Sequence, residues 1–184
     1  MTSIRILAAT LAAALISCGG ETHRFTGIVG STADGMLTVD NPVKEITATF
    51  SVAGIGCREE IIAGAPVTVE YRGRLDSSPE AVRVDCDATF ALAAGRWVME
   101  DPINPASNIG AELRNDYSAA SINMSTLKFT RWSLIGDTGR IRLYAMSLGN
   151  GTMCEVSYKA TISRTGDRPT MEIEGTGWVL RKEE

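Results

Sequence analysis

Cys154-Glu155-Val156-Ser157-Tyr158-Lys159-Ala160-Thr161-Ile162 alternates apolar and polar residues without a break. Cys154, Val156, Tyr158, Ala160 and Ile162 fall on one face, and Glu155, Ser157, Lys159 and Thr161 on the other. That period of two belongs to a half-buried β-strand. Similar runs flank it: Arg96–Glu100, Ile109–Arg114, Tyr117–Ile122, Thr126–Ile135, Arg140–Leu148, Met153–Ser163, Thr170–Gly175 and Gly177–Arg181. The joints carry turn residues, namely Asn115-Asp116, Gly136-Asp137, Asn150-Gly151 and Gly166-Asp167. About eight short antiparallel strands would leave two long open edges unless the sheet closes on itself, so residues 95–184 are predicted to form an up-and-down barrel.

Strand patterning extends into the first half. Arg24–Gly30 and Met36–Asp40 flank Asp34-Gly35, a favoured hairpin pair. Glu45–Ala53 alternates, with Ile46, Ala48, Phe50 and Val52 inward. Pro66–Arg72 and Ala81–Cys86 follow, the latter read with Val82, Val84 and Cys86 inward. Gly56–Ala63 suits a helical turn. Five strands with a short helix between the third and fourth predict a five-stranded OB-like barrel over residues 24–88. Residues 89–94 read as a connector, and the halves show no internal repeat. The fold class is all-β.

Met1–Ile6 carries one charge, Arg5, and Ile6–Ile16 is apolar apart from Thr10. This is too short to span a bilayer, which takes roughly 20 apolar residues, but it suits the core of an export signal. Leu15-Ile16-Ser17-Cys18-Gly19 resembles the lipobox of bacterial lipoproteins. The resemblance implies a signal peptide over residues 1–17, lipidation at Cys18 and a tether over 18–23. Membrane attachment would then run through the N-terminal lipid. Gly19 favours the outer membrane over the inner, and Glu21 alone argues for its periplasmic side. The 184 residues carry a formal net charge of −4, which disfavours nucleic acid as a partner. Lipidation leaves Cys57, Cys86 and Cys154, an odd number. Strand phase predicts Cys154 as a buried thiol inside the second barrel. Any disulfide would join Cys57 to Cys86, two separate thiols being the alternative.

Gly95-Arg96-Trp97 resembles the Gly-x-Trp opening of lipocalins and other calycin barrels. There the Trp closes the barrel bottom under a basic residue, a part that Arg181 or its neighbour Lys182 could take. Gly110, Ser121–Leu127, Trp132, Gly136-Asp137 and Ser147–Gly151 are similar to the lipocalin-like domain of small Gram-negative lipoproteins. In those proteins a small β-barrel with starts similar to Phe25–Val29 and Val67–Gly73 often comes first. The resemblance implies a lipocalin-like barrel over residues 95–184, although its strands are short for a roomy cavity.

Catalytic readings find little support. His23 is the sole histidine and falls in the tether, so neither a Ser-His-Asp nor a Cys-His arrangement can be assembled. A histidine-rich metal site is excluded likewise, and no glycine-rich nucleotide motif is present. Glu59-Glu60 reads as a solvated face, as do Glu172 and Glu174. Asp85 and Asp87, with Asp76, read as a barrel rim or a weak cation site, the rim being preferred. No catalytic residue, metal or cofactor is assigned.

The aromatics Trp97, Trp132, Trp178, Phe129, Tyr144 and Tyr158 concentrate in the second barrel. Trp97 and Trp178 read as structural, whereas Tyr144, Tyr158, Phe129 and Trp132 are the candidates to face a small apolar or amphipathic ligand. The sequence thus predicts a noncatalytic, membrane-anchored envelope protein that binds or carries such a ligand. A filled barrel docking onto an envelope complex, or an envelope-stress sensor, is the alternative.

Overall fold

The computed structural model describes residues 21–55, 61–136, 138–149, 151–164 and 167–183. Among the described residues are thirteen strands, arranged in two sheets, and one short α-helix. The first sheet contains β1 (Thr22–Ala33), β2 (Met36–Asn41), β3 (Ile46–Ser51), β4 (Pro66–Arg72) and β5 (Glu80–Cys86). It closes into a barrel in the order β1-β2-β3-β5-β4, with a 3-10 turn at Leu75–Ser77 between β4 and β5. Its interior holds Phe25, Leu37, Val39, Phe50, Val67, Val69 and Val84. Phe50 meets the Phe25 ring at 5.6 Å and the Tyr71 ring at 5.2 Å.

Two readings of this half are corrected. Val82 is 44% exposed and Ala81 faces inward, because Glu70 pairs with Arg83 but Tyr71 pairs with Ala81. The unpaired Val82 is a β-bulge, and one extra residue reverses which side chains face the core. His23 lies in β1 opposite Tyr71, with its ring 5.5 Å from that tyrosine, and is not part of a loose tether. The three aspartates each have their own partner. Asp85 pairs with Arg83 and Asp76 with Arg74, while Asp87 accepts the Thr89 N–H. Cys57, on which the choice between a bridge to Cys86 and two thiols turns, the lipobox, and residues 56–60 of the helical turn read over Gly56–Ala63 lie outside the described residues, and residues 61–63 are not helical. Cys86 is half-buried at the end of β5.

The second sheet contains β6 (Gly95–Glu100), β7 (Asn108–Leu113), β8 (Ala119–Ile122), β9 (Leu127–Leu134), β10 (Arg140–Gly149), β11 (Thr152–Ser163), β12 (Thr170–Ile173) and β13 (Trp178–Lys182). Its order is β8-β7-β6-β13-β12-β11-β10-β9, an antiparallel sheet curled until its ends meet. No ladder joins β8 to β9. The seam is held by a bridge between Ser118 and Arg131, by the Trp132 N–H donating to Tyr117 O at 2.9 Å, and by the Ser121 hydroxyl. That hydroxyl donates to Leu127 O and accepts from Phe129 N, both at 2.7 Å.

The segment read as a connector forms α1 (Ala88–Ala93), capped by Asp87. Thr89 is almost fully buried, and its hydroxyl accepts the Gly139 N–H at 2.7 Å. Phe90 is fully buried, stacked 5.2 Å from Trp132 and 5.1 Å from Tyr117. The helix therefore stoppers one end of the second barrel. Across it the first half leans on the second. Gly64 sits at φ +85°, where a Cβ would collide with the Asn115 carbonyl and press on Phe90.

Trp97 is fully buried and donates its indole N–H to Ala93 O at 2.7 Å. The basic partner above it is Lys182 and not Arg181. In β13, Leu180 and Lys182 turn inward while Val179 and Arg181 turn out. The Lys182 amine lies 5.6 Å from the Trp97 ring and donates to Leu92 O at 2.7 Å. Gly95, at φ +129°, has no Cβ because one would strike the Lys182 stem at 2.9 Å.

Burial, and secondarily the charge of Arg164, lowers the Lys182 amine below its ordinary 10.5. A lysine depressed in the fold binds its proton more tightly once unfolded. Stability therefore rises as pH climbs through the lowered value towards 10.5. Lys182→Met should flatten that rise in melting temperature. Parallel pH profiles for the two proteins would show that the burial of the amine is not felt.

Candidate functional site

With α1 closing one end, access to the second barrel is from the other, where β6 ends and β13 begins. The strands there are unequal: β8 and β12 have four residues each, whereas β10 and β11 have ten and twelve. The β10–β11 hairpin consequently stands above the rest of the rim. This explains a further correction. Cys154 has the inward phase that the alternation implies, but it is exposed because it sits where no opposite wall remains. Leu148 and Met153, paired across the same hairpin, are also exposed.

Below the rim lies a recess of about 260 Å³. One side is the loop after β6, with Asp101, Pro102 and Ile103. The other is the loop from Asn123 to Leu127, with Met124 between them, and Ile109 and Trp178 complete it. Both loops are tied down. The Asp101 carboxylate accepts the Ile103 N–H at 2.9 Å. The Asn123 amide, at a residue with φ +53°, donates to Asn108 O at 2.9 Å. Lys128 donates to Met124 O at 2.6 Å. Ile103 is 92% exposed, whereas Ile109 and Met124 are each 8% exposed. The recess thus has an apolar floor, an exposed isoleucine at its lip, and Asp101 and Asn123 as its polar points. Two other surface hollows, of about 420 and 370 Å³, share no lining residue with it. The larger opens on the outer wall among Glu100, Arg168, Arg181 and Glu183.

The barrel beneath is filled. Phe129 is 4% exposed, and Leu143, Ala111, Ile141 and Leu180 are at most 0% exposed. An eight-stranded barrel of this width holds either its own side chains or one small ligand. None of the four aromatics expected to face a ligand lines the recess. Trp132 belongs to the stoppered end, with its indole N–H donating to Arg114 O at 2.9 Å. Phe129 is interior packing. Tyr158 faces inward and is half-buried against the core.

Tyr144 lies on the outer wall, since Ile141, Leu143 and Ala145 take the inward positions of β10. Arg131 stacks on its ring at 3.4 Å. The Ser133 hydroxyl, opposed by desolvation and helped by Arg131 and Arg142, holds its phenol below the usual tyrosine range.

Trp178, Met124 and Ile109 are the residues that pattern reasoning missed. The loops that complete the recess have no period to reveal them, and Trp178 was assigned to packing. Among the described residues, no three His, Cys, Asp or Glu side chains are grouped to hold a metal ion. No helix among them is long and apolar enough to cross a membrane.

Residues 91–178 match the family model for lipocalin-like domains. Among solved structures, a lipocalin-like protein from Bacteroides thetaiotaomicron VPI-5482 is similar at 27% identity. The match covers 50% of this chain and 96% of that one, with a TM-score of 0.42. No curated protein matches the chain.

Proposed function

We propose that the protein is a lipid-anchored envelope protein whose lipocalin-like barrel seats one small apolar or amphipathic molecule at its mouth, without catalysing a reaction on it. The recess between Ile103 and Trp178 carries this reading. Small-molecule sites are concave and mostly apolar, with a few placed polar groups, and the recess has that composition. At about 260 Å³ it is just under the roughly 300–1,000 Å³ of typical ligand sites, which suits a short chain or single ring. In this reading residues 24–86 form an OB-like barrel, α1 belongs to the second unit, and Cys18 bears the lipid on the periplasmic side of the outer membrane. The filled interior favours a second reading, in which the barrel is a docking module for an envelope complex.

The test uses protein extracted from its host's membranes, with native mass spectrometry to see what remains bound. Trp178 serves as reporter for a medium-chain fatty acid probe, with Trp178→Phe as background. Ile103→Glu, at an exposed position, should preserve folding and weaken binding about tenfold, the scale of one aliphatic side chain. In the same cells Cys18→Ala should move the protein out of the membrane fraction. If nothing co-purifies and no apolar probe alters Trp178 emission, the docking reading replaces this one.

A further inference from the structure

The outer wall of β9–β11 gathers cations that make no ion pair among the described residues, although Glu174, whose N–H donates to Lys159 O at 2.9 Å, stands beside them. In one cross-strand row Arg131, Tyr144 and Ser157 stand side by side. In the next row stand Ser133, Arg142 and Lys159. Neighbouring strands lie about 4.8 Å apart and successive same-face residues about 7 Å along, so the six side chains share one small patch.

The placement of Arg131 depends on a bulge. Thr130 is skipped between the pairs Phe129↔Ala145 and Arg131↔Tyr144, which turns Arg131 outward over the tyrosine ring. Arg142 and Lys159 are direct cross-strand partners, and like charges so placed destabilise a sheet. Arg140, one position along the same face, is paired with Glu174 at 2.9 Å. Among the described residues no carboxylate is in ion-pair contact with Arg131, Arg142 or Lys159. Acids outnumber bases in this chain, 22 against 18, so an unneutralised cationic trio is a concentration of charge that solubility does not require. The Arg131 guanidinium lies over the Tyr144 ring at 3.4 Å, and Arg142 and Ser133 pair one row along, so the tyrosine sits among positive charge, in line with the lowering of its phenol.

We propose that this wall is a binding site for a phosphate group, with Arg131, Arg142 and Lys159 supplying the charge and the Ser133 and Tyr144 hydroxyls the remaining donors. Guanidinium forks match phosphate oxygens in pairs, and a lysine adds a point charge. The phosphate belongs either to a lipid headgroup beside the anchored protein or to a soluble phosphate ester. The site is separate from the mouth recess and stands without it.

The test uses the full chain carrying Cys18→Ala, so that no attached lipid confuses the partition. Inorganic phosphate is titrated while the side-chain Nε–H signals of Arg131 and Arg142 are followed by NMR. A saturable shift at millimolar phosphate is expected, absent with chloride at equal ionic strength. It should weaken at least tenfold in Arg142→Gln and in Lys159→Gln. Those variants should melt at or above the parent's temperature, whereas a purely structural role predicts a lower one. Sedimentation with phosphatidylcholine vesicles, with and without phosphatidylglycerol, separates the sources. Selective binding to the phosphatidylglycerol vesicles supports a headgroup, and a phosphate shift without vesicle binding supports a soluble ester. A shift that chloride reproduces, that survives both substitutions, or that never appears overturns the proposal.

Discussion

Trp97→Ala is expected to lower the melting temperature by about 10 °C, the largest loss for any single substitution at the stoppered end. Removing a fully buried tryptophan costs roughly 3–5 kcal/mol when the cavity does not collapse. Each kcal/mol shifts the melting point of a chain this size by about 2–4 °C. Collapse is hindered here on three sides. Ala93 O loses its donor, Lys182 loses the ring beneath it, and the backbones of β6 and β7 are already in close contact at Gly110. Differential scanning calorimetry measures the effect. A melting temperature within a degree or so of the parent's would mean that Trp97 does not hold this end together.

A comparably large effect is expected from where the chain is cut. A fragment starting at Asp87 should fold and unfold cooperatively, because it keeps the Asp87 cap, the buried Thr89 and the Phe90 ring. One starting at Gly95 should fail to give a cooperative transition. It would expose the Phe90 socket between Tyr117 and Trp132, leave the Gly139 N–H without its acceptor, and strand the Trp97 indole N–H and the Lys182 amine. Each buried donor left unpaired costs about 1–3 kcal/mol, against a total stability of about 5–15 kcal/mol. Urea unfolding followed by circular dichroism compares the two. Equal cooperativity would show that α1 is dispensable, and the segment would then be a connector after all.

Strands were legible in the sequence because their pattern is local. A period of two over Glu45–Ala53, Pro66–Arg72 or Cys154–Ile162 can be read one residue at a time, and the structure puts strands over each of those runs. Bulges were not legible. A single unpaired residue at Val82 or Thr130 reverses the phase on one side of itself while leaving the composition unchanged. Height was also hidden. The phase of Cys154 is correct, yet burial depends on whether the rest of the wall reaches that level, which is set by the lengths of short strands such as β8 and β12. Reading Tyr144 as ligand-facing failed for a different reason, since its neighbours Leu143 and Ala145 take the interior. The recess was least accessible of all. It is assembled from two aperiodic loops and the first residue of β13, brought together only by closure of the sheet.

Closure also sets an order of events. The amine of Lys182 donates to a carbonyl at Leu92, 90 residues earlier in the chain, and β13 is the strand that joins β6 to β12. Until residue 182 has been delivered, the helix stopper lacks its Lys182 clamp and β6 and β12 each present a bare edge. If the chain emerges N-terminus first, the first barrel has all its strands available once Cys86 has appeared. The second must wait for Trp178–Lys182. Partly emerged chains would therefore carry one finished barrel and one open sheet, which makes the Trp178–Lys182 segment the step at which misassembly or capture by a chaperone can occur.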